Sequence, residues 1–471
     1  MASTFGGLTT AYSGLVAARA GLDVVGQNIA NATTDGYTRQ RLTTSSVEAP
    51  ARVGLFSGGV QPGRGVALES VARLGDLALD GRVRATAGVT GYQSTRSEAL
   101  ATLETSLGEP AGAGLSKALT SFWAGWSDLA AHPGEAAPAA VLLARAGTVA
   151  GTLADASRSV DAQWTTHRDR VDGEAAQLTQ VARQVADLNV RIRDGLQQGV
   201  SVNELLDARG LLTEKVAALA GGTVVDRADG TVDVLLGGNA LVRGDTARAV
   251  SVVGGRSLGD PVTLEWADRP GQAVGVDAGT LAGRLSVLAP ADATGTGGVL
   301  AEAGASLDAL ARQLADQVNA VHRTGVARDG STGLDVFAVD PGVPAARGLR
   351  VVPTDPSGLA LAAPGAGALD GSVADRLAQL GAGSGSVDRA WAAVVTGIGA
   401  SAGAERERST LTDLAATSAR ARQQSVAGVD LDEENVALLT HQHAYQGAAR
   451  VMTAIDEMLD TLINGMGRVG R

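Results

Sequence analysis

The stretch LTTAYSGLVAARAGLDVVGQNIAN, residues 8–31, repeats apolar side chains at seven-residue intervals. Two sets share this spacing: Leu8, Leu15, Leu22 and Ile29, and three positions later Ala11, Ala18 and Val25. A heptad repeat of this kind predicts a helix whose apolar seam is buried against a partner helix. The turn-forming run Thr33-Thr34-Asp35-Gly36 predicts that this helix ends near Asn31.

The other end of the chain carries the same spacing. Its seam is Leu431, Leu438, Tyr445, Met452, Leu459 and Met466, with Ala448, Ile455 and Leu462 at companion positions. Asp430, with Glu433 three residues later, forms a capping-box-like helix start. The simplest burial for each terminal seam is against the other, so we predict a terminal coiled-coil domain of residues 1–40 and 431–471.

Between the ends, the sequence predicts a rod-like helical middle. The longest predicted helix spans residues 136–196, where Trp164, Val171, Leu178, Val185 and Ile192 keep a strict seven-residue step. The helical rod domain is predicted to comprise 88–222, 290–328 and 386–427, joined to the first helix by a connecting loop at 41–87. The fold class is mainly α with long helices and a small β unit.

The β unit is predicted at residues 223–289. There Val232, Val234 and Leu236 alternate faces, and Asp229-Gly230 indicates a hairpin turn before them. Residues 329–385 are rich in Gly, Pro and Ala, so we expect loops, at most short strands, and a linker role.

Composition argues against several function classes. The 50 acidic residues exceed the 39 basic ones and the bases are scattered, so a nucleic-acid-binding surface is not expected. The chain has no cysteines, which removes disulfides and thiolate metal sites. We see no secretory signal peptide and no run of about 18 apolar residues, so no membrane anchor is expected.

Catalytic chemistry finds little support. Ser257 and Ser401 each stand in a Gly-x-Ser-x-Gly match, a pattern that belongs to a hydrolase only on a strand-to-helix turn. With 63 glycines in the chain, chance matches are expected. His441 and His443 point to roughly opposite faces of a helix and are expected to be solvated. We therefore predict no enzyme activity, no cofactor and no metal site.

Two motifs resemble the flagellar rod, hook and hook-associated axial proteins. AYSGLVA (11–17), NIANA (28–32) and GYTRQ (36–40) are similar to the N-terminal motif of this family, and GVDLDEE (428–434) with QHAYQGAARV (442–451) to its C-terminal motif. Gln27, Asp35 and Asp430 depart from the family pattern. The middle segments NELLDAR (203–209) and VNAVHRTG (318–325) resemble the hook-associated members in particular.

The resemblance implies a secreted structural subunit at the hook-filament junction of the extracellular flagellum, exported without a cleaved signal. It implies self-association in a tube and contacts with hook protein and a second junction protein. An export chaperone would bind the C-terminal helix. It also implies that 329–385 replaces the additional β domain of larger relatives with a reduced or absent outer domain.

The assembly interface is predicted to comprise residues of both terminal helices and the turn after the first: Leu8, Leu15, Leu22, Asn28, Ile29, Asn31, Gly36, Tyr37, Leu438, Tyr445, Met452, Ile455, Leu459 and Leu462. Two alternatives stay open. One is another rod or hook axial protein, and the other, more remote, is a flagellum-associated hydrolase that uses Ser257 or Ser401.

Overall fold

The structure is a computed structural model that describes residues 4–48, 63–109 and 114–465. Met466 of the predicted C-terminal seam lies outside these ranges. The helices are α1 (Thr4–Ala30), α2 (Leu77–Ser106), α3 (Leu115–Ala131), α4 (Ala136–Gln197), α5 (Asn203–Ala220), α6 (Gly279–Leu288), α7 (Val299–His322), α8 (Ala345–Gly348), α9 (Ser372–Gln379), α10 (Val387–Ala427) and α11 (Leu431–Gly465).

The strands are short and pair antiparallel. They are β1 (Gln40–Ser46), β2 (Val66–Arg73), β3 (Thr223–Asp226), β4 (Val232–Leu236), β5 (Asn239–Arg243), β6 (Thr246–Ala247), β7 (Val250–Gly254), β8 (Val262–Trp266), β9 (Arg269–Ala273), β10 (Val326–Ala327), β11 (Phe337–Val339), β12 (Leu349–Val351) and β13 (Ala360–Ala362). Strands β1 and β2 form a separate two-stranded ribbon.

Helix α4 is the spine of the structure. It has 62 residues and is therefore about 90 Å long. The predicted seam of Trp164, Val171, Leu178, Val185 and Ile192 is fully buried. Helices α3, α5, α6 and α7 all pack against it. The mainly α fold with long helices is thus confirmed, and one long helix supports elements from most of the chain.

Part of α4 is long and apolar enough to cross a membrane, judged by length and composition alone. Our expectation that the sequence contains no such stretch was therefore wrong. In the fold, Leu142, Val149 and Leu153 of this part are almost completely buried, and α3 packs against the helix. These three side chains belong to the protein core, and 33% of the stretch is buried.

Helix α2 begins at Leu77, within the predicted connecting loop and earlier than Gly88. Asp76 caps it, because its carboxylate accepts hydrogen bonds from the backbone N–H groups of Ala78 and Leu79. Glycine disfavours helix in a sequence-based prediction, but Gly88 and Gly91 of α2 have a packing role. A Cβ atom on Gly91 would lie 2.6 Å from the carbonyl oxygen of Ala218, so only glycine lets α5 end this close to α2.

The predicted β unit consists of two sheets, with strand orders β3-β4-β5-β6 and β7-β8-β9. The hairpin at Asp229-Gly230 is present, with Asp226 opposite Val232 and Gly230 at φ +83°. Residues 279–288 differ from the prediction because they form α6. Leu281, Val287 and Leu288 lie on its buried side, so this segment joins the helical layer through α2 and α4.

Residues 329–385 do not form a linker. Val336, Phe337, Val373 and Leu377 are almost completely buried, and the Phe337 ring lies 5.7 Å from that of Phe122 on α3. The segment folds into β11–β13, α8 and α9 against α3, α4 and α7. Its high glycine and proline content concealed buried apolar positions that are few and far apart in sequence.

The motif at the end of α7 holds this segment in place. The Asn319 amide donates to the Phe337 carbonyl (2.7 Å) and accepts from the backbone N–H groups of Val336 (2.9 Å) and Phe337 (3.0 Å). His322 contacts the Leu334 carbonyl through Nδ1 (2.7 Å), and its Nε2 accepts from the Ala360 N–H (2.8 Å). The second bond requires a neutral imidazole, and burial lowers the pKa of His322.

Acidification should loosen segment 329–385. A histidine whose pKa is lowered by folding stabilises the fold fully above its ordinary pKa of 6.5, and this contribution is lost as the pH falls below that value. We expect the protection factors of the Phe337 and Ala360 amides, which correct the exchange rate for its intrinsic dependence on pH, to be lower at pH 5 than at pH 7. His322→Ala should remove most of that pH difference and cost about 2 to 3 kcal/mol in free energy of unfolding.

His443→Gln is the matched control, because His443 is exposed on α11. It should leave the pH dependence of exchange unchanged. Equal acid sensitivity in the parent and His322→Ala would contradict this account.

Candidate assembly site

The terminal helices α1 and α11 pack against each other in antiparallel orientation. Every seventh residue of α1 faces every seventh residue of α11, with numbers rising on one helix as they fall on the other. The facing pairs are Gly7 with Ile455, Gly14 with Ala448, Gly21 with His441 and Asn28 with Glu434. The predicted pairing of the two chain ends is therefore present within a single chain.

Glycine sets the distance between the two helices. A Cβ atom on Gly7 would lie 3.3 Å from Ile455 Cδ1, and one on Gly21 would lie 2.5 Å from the His441 ring. On the same side of α1, four residues after each of Gly7, Gly14 and Gly21, Ala11, Ala18 and Val25 are buried. Small residues therefore line the seam and allow close backbone approach.

The predicted interface residues occupy different depths. Leu8, Leu15, Leu22 and Ile29 lie one position beyond the glycine series and are half-buried. On α11, Ile455 is buried, Leu438, Met452 and Leu459 are half-buried, and Tyr445 and Leu462 are exposed. The large side chains thus flank the seam rather than fill it.

His441 is not the solvated residue that we expected. Its ring lies over Gly21 within the seam and is half-buried, whereas His443 is exposed. The heptad step places residue 441 between Glu434 and Ala448 on the α1-facing side of α11, and the absence of a side chain on Gly21 leaves room for the imidazole.

A polar cluster closes the end of the seam. Asn28, 1% exposed, donates from Nδ2 to the Gln40 carbonyl (2.9 Å) and to Glu434 Oε2 (3.1 Å). Its Oδ1 accepts from the Tyr37 hydroxyl (2.8 Å) and the Gln40 N–H (3.0 Å). One amide thereby joins α1, the following turn, β1 and α11, with its donor and acceptor atoms engaged.

Arg39 makes the ionic part of this cluster. Its guanidinium contacts Glu434 (2.6 Å) and Glu433 (2.5 Å), and its backbone N–H donates to the Ala427 carbonyl (2.8 Å) at the end of α10. The Glu434 side chain is only 2% exposed. Burial disfavours the charge of Arg39, but hydrogen bonds to and charges of these glutamates outweigh it and raise the pKa of Arg39.

Helix α5 contributes the other side of the cluster. Asp207 accepts from the Thr38 N–H (3.1 Å) and pairs with Arg73 of β2 (2.8 Å). Asn203 donates to Gln40 Oε1 (3.1 Å) and to the Val71 carbonyl (2.9 Å). The segment NELLDAR, which we singled out in the sequence, therefore contacts the motif GYTRQ although they lie far apart along the chain.

Burial and the carboxylates of Asp207, Glu204 and Glu434 raise the pKa of Tyr37 to about 12. Burial also raises the pKa of Asp207, although Arg73 opposes this. Both shifts follow from placing several acidic groups in a partly dehydrated site with few cations.

Asn31 and Gly36 shape the turn between α1 and β1. Asn31 donates to the Gln27 carbonyl (3.0 Å) and accepts from the Thr34 hydroxyl (3.3 Å), so it stabilises the end of α1. Gly36 has φ +75°, and a Cβ atom there would lie 2.5 Å from the Leu211 side chain. These two predicted residues act within the turn rather than on the seam.

Our sequence analysis missed Glu204, Glu434 and Arg73. Glu434 stands in an acidic run at a helix start, where a solvated residue is the usual outcome, and Arg73 follows no motif. The one available signal was the seven-residue step from His441 to Glu434, which places Glu434 on the seam.

Neither candidate nucleophile lies on a strand-to-helix turn. Ser257 is exposed in the loop between β7 and β8, where its N–H donates to Asp260 (2.9 Å). Ser401 is exposed in the middle of α10. Neither serine therefore has the strand-to-helix geometry that the hydrolase alternative requires.

Comparison with known proteins agrees with this architecture. Residues 100–337 match the model of the flagellar hook-associated protein FlgK helical domain. Residues 8–38 match that of the flagella basal body rod protein, and 423–465 that of the flagellar basal body rod FlgEFG protein C-terminal region. Flagellar hook-associated protein 1 of Bacillus subtilis (strain 168) is 30% identical over 516 aligned residues, covering 100% of both chains.

The chain belongs to the flagellar hook-associated protein 1 family. Flagellar hook-associated protein 1 of Salmonella typhimurium is 29% identical over 70% of this chain and 58% of its own. The solved structure described as the flagellar hook junction protein FlgK from Burkholderia pseudomallei shares the fold, with a TM-score of 0.64 and 18% identity over 74% of this chain and 100% of its own. The resemblance found in the terminal and middle motifs is confirmed.

Membership in the hook-associated protein 1 family makes the chain a structural part of the extracellular flagellum that assembles with other axial components. The family models divide in the same way as the structure. The rod-protein matches cover most of α1 and all of α11, whereas the match to the helical domain begins within α2 and ends at the start of β11.

The phenol of Tyr37 should lose its proton at an unusually high pH. Subtracting the ultraviolet titration of Tyr37→Phe from that of the parent should give a phenolate midpoint near 12, because burial and nearby carboxylates disfavour the anion. Because folding raises this pKa, its stabilisation is complete below pH 10 and is lost between pH 10 and 12. A difference midpoint near 10 would contradict the buried position.

A side chain at Gly21 should weaken the terminal pair. Gly21→Val places Cβ 2.5 Å from His441, so we expect earlier loss of helicity on heating and faster exchange in α1 and α11. Gly26→Val is the control for the same replacement at a site with nothing within 4 Å. Equal losses in both variants would indicate that helix propensity, rather than the seam, sets the effect.

Proposed function

We propose that this protein is the hook-filament junction subunit, which assembles at the distal end of the hook and allows the filament to attach. Support comes from the apolar side chains that α1 and α11 leave exposed after pairing. Those that are half or more exposed are Phe5, Tyr12, Leu431, Val436, Leu439, Val451, Met458 and Ile463. Exposed apolar side chains in such number favour an interface, and identical neighbours in a tube would cover them.

The proposed occupant of this surface is the same pair of helices in neighbouring copies. The exposed residues run from Leu431 to Ile463, almost the whole length of α11, as a continuous axial contact requires. The predicted residues Leu8, Leu15, Leu22, Ile29, Leu438, Met452 and Leu459, which border the seam, would complete each contact. Tyr445 and Leu462, already exposed, would face a neighbour directly.

Hook protein and a second junction protein are the proposed partners at the two ends of the ring of subunits. We further propose that the chain is secreted through the flagellar export apparatus without cleavage, and that a chaperone covers the apolar face of α11 beforehand. An amphipathic helix with one exposed apolar face is the usual target of a groove-type binding partner. The proposed role is structural and requires no catalysis.

Deletion of the gene tests the junction role. We expect hooks of normal length without filaments, and filament protein in the culture medium, because filament subunits would have no acceptor on the hook. Electron microscopy of isolated hooks and immunoblotting of the medium measure both. Normal filaments on the deletion strain would exclude this function.

Complementation adds two controls. The double variant Ser257→Ala, Ser401→Ala should restore filaments fully, and failure to do so would revive the hydrolase alternative. Intact N-terminal sequence on protein recovered from flagella is expected if export leaves the chain uncleaved. A truncated N-terminus would contradict that route.

A further inference from the structure

Helices α2 and α10 pair in antiparallel orientation and form a two-helix segment, here called the stem. Gln423 Nε2 donates to Asp80 Oδ1 (2.6 Å), and the Thr90 hydroxyl donates to the Thr412 carbonyl (3.2 Å), so residue numbers rise on one helix as they fall on the other. The stem begins after β2 and ends before α11. It therefore connects the terminal helices to the rest of the chain.

A groove with a volume of about 230 Å³ runs between the two helices of the stem. Its lining residues are Ala78, Leu79, Arg82, Ala415, Ser418, Ala419 and Arg422. This set contains two arginines and no carboxylate. The neighbouring Arg420 pairs with Glu214, whereas neither groove arginine is in an ion pair of the described residues. The groove therefore offers two positive charges to a partner.

Exposed apolar side chains continue the groove toward the middle of the stem. Val89 lies seven residues after Arg82 on α2, and Leu411 lies seven before Ser418 on α10, so both stay on the groove side of their helices. Leu411 and Leu414 are 66% and 62% exposed. The groove thus has a basic end and an apolar end, about 10 Å apart along the helix axis.

The first turns of α11 carry the complementary pattern. Asp432, Val436 and Leu439 have the spacing of one helix face, and all three are exposed. This face points away from the seam with α1, because Glu434 and His441 lie on the opposite side of α11. Among the described residues, Asp432 is in no ion pair. An acidic end and an apolar end thus lie about 10 Å apart here as well.

We propose that the first turns of α11 in a neighbouring copy dock in the stem groove. Asp432 of the neighbour lies between Arg82 and Arg422, and its Val436 and Leu439 cover the apolar end of the groove. Opposite charges at one end and apolar side chains at the other fix the direction of the incoming helix. The inference rests on the proposed function, since only an assembled ring or tube supplies such a neighbour.

A second copy is the occupant that the two surfaces favour. The groove and the start of α11 are different surfaces of the same chain, so their contact is heterologous, and contacts of this kind generate rings and helical tubes. Copies of this chain repel one another through a net charge of −11, and the groove arginines offset part of that repulsion where a neighbour's carboxylate meets them. Exposed residues farther along α11, from Val451 to Ile463, remain available to neighbouring terminal helices.

Photo-cross-linking in assembled flagella identifies the occupant of the groove. A photoreactive benzoylphenylalanine at Ser418, which is exposed in the groove, should join this chain to segment 431–439 of another copy in bands of dimer size or larger. The same replacement at Thr396, an exposed position about 33 Å away on α10, should give no such product. Electrophoresis and mass spectrometry after irradiation measure both. Capture of another axial protein, a product within a single chain, or no product at Ser418 would overturn the proposal.

Charge exchange tests the basic end of the groove. In the deletion strain, the double variant Arg82→Glu, Arg422→Glu should be exported intact, but its amount on isolated hooks should fall by about tenfold or more, because like charges then face each other. Adding Asp432→Arg should restore most of that amount. The control Arg183→Glu, Arg191→Glu makes the same change in net charge at exposed positions of α4 and should stay on the hooks. Equal loss in the control, or no recovery with Asp432→Arg, would contradict the docking.

Two comparisons keep the outcomes separate. Purified Arg82→Glu, Arg422→Glu should unfold at the parent temperature, because both arginines are exposed; if it unfolds earlier, the cross-link at Ser418 alone decides. Filaments on the deletion strain, together with a cross-link from Ser418 to segment 431–439, would remove the proposed function and keep the docking. Hooks without filaments, together with no cross-link, would keep the function and remove the docking.

Discussion

The close approach of α1 and α11 is the constraint on which the rest of the structure depends. It requires the two ends of a 471-residue chain to meet, so every element between them must lead away from the paired terminal helices and return to them. The outward path runs through α2 and the return runs through α10, and these two helices pack together. The elements from α2 to α10, here called the body, therefore begin and end beside the same pair of helices.

Different forces hold the two parts of the molecule. The body depends on burial of large side chains, including Trp126, Trp164, Trp266 and Trp391. The terminal seam depends on glycine and alanine, which bury little apolar area per residue. Much of the apolar area of α1 and α11 is therefore left over for contacts outside the chain, which is consistent with a subunit that completes its fold by assembling.

The buried carboxylate of Glu434 needs partners from other segments of the chain. Removing one partner of a buried, hydrogen-bonded ion pair typically costs about 3 to 5 kcal/mol, because the remaining charge has no compensation. Arg39 and Asn28 provide that compensation from two other segments. The cluster therefore forms only when the turn after α1, the end of α10 and the start of α11 are all in place.

The sequence by itself determined the long helices, the terminal pairing and the hairpin at Asp229-Gly230, because each depends on periodicity or on a local turn. It also singled out Asn28 and Tyr37, which the structure joins by a hydrogen bond in the polar cluster. Only the tertiary structure decided that Glu434, Arg73 and Asp207 join them, that α2 starts at Asp76, and that segment 329–385 is packed on the body. These features depend on contacts between residues far apart in the chain, such as Asn319 with Phe337 or Gly91 with Ala218, and no local pattern encodes which distant surface a glycine or a carboxylate will meet.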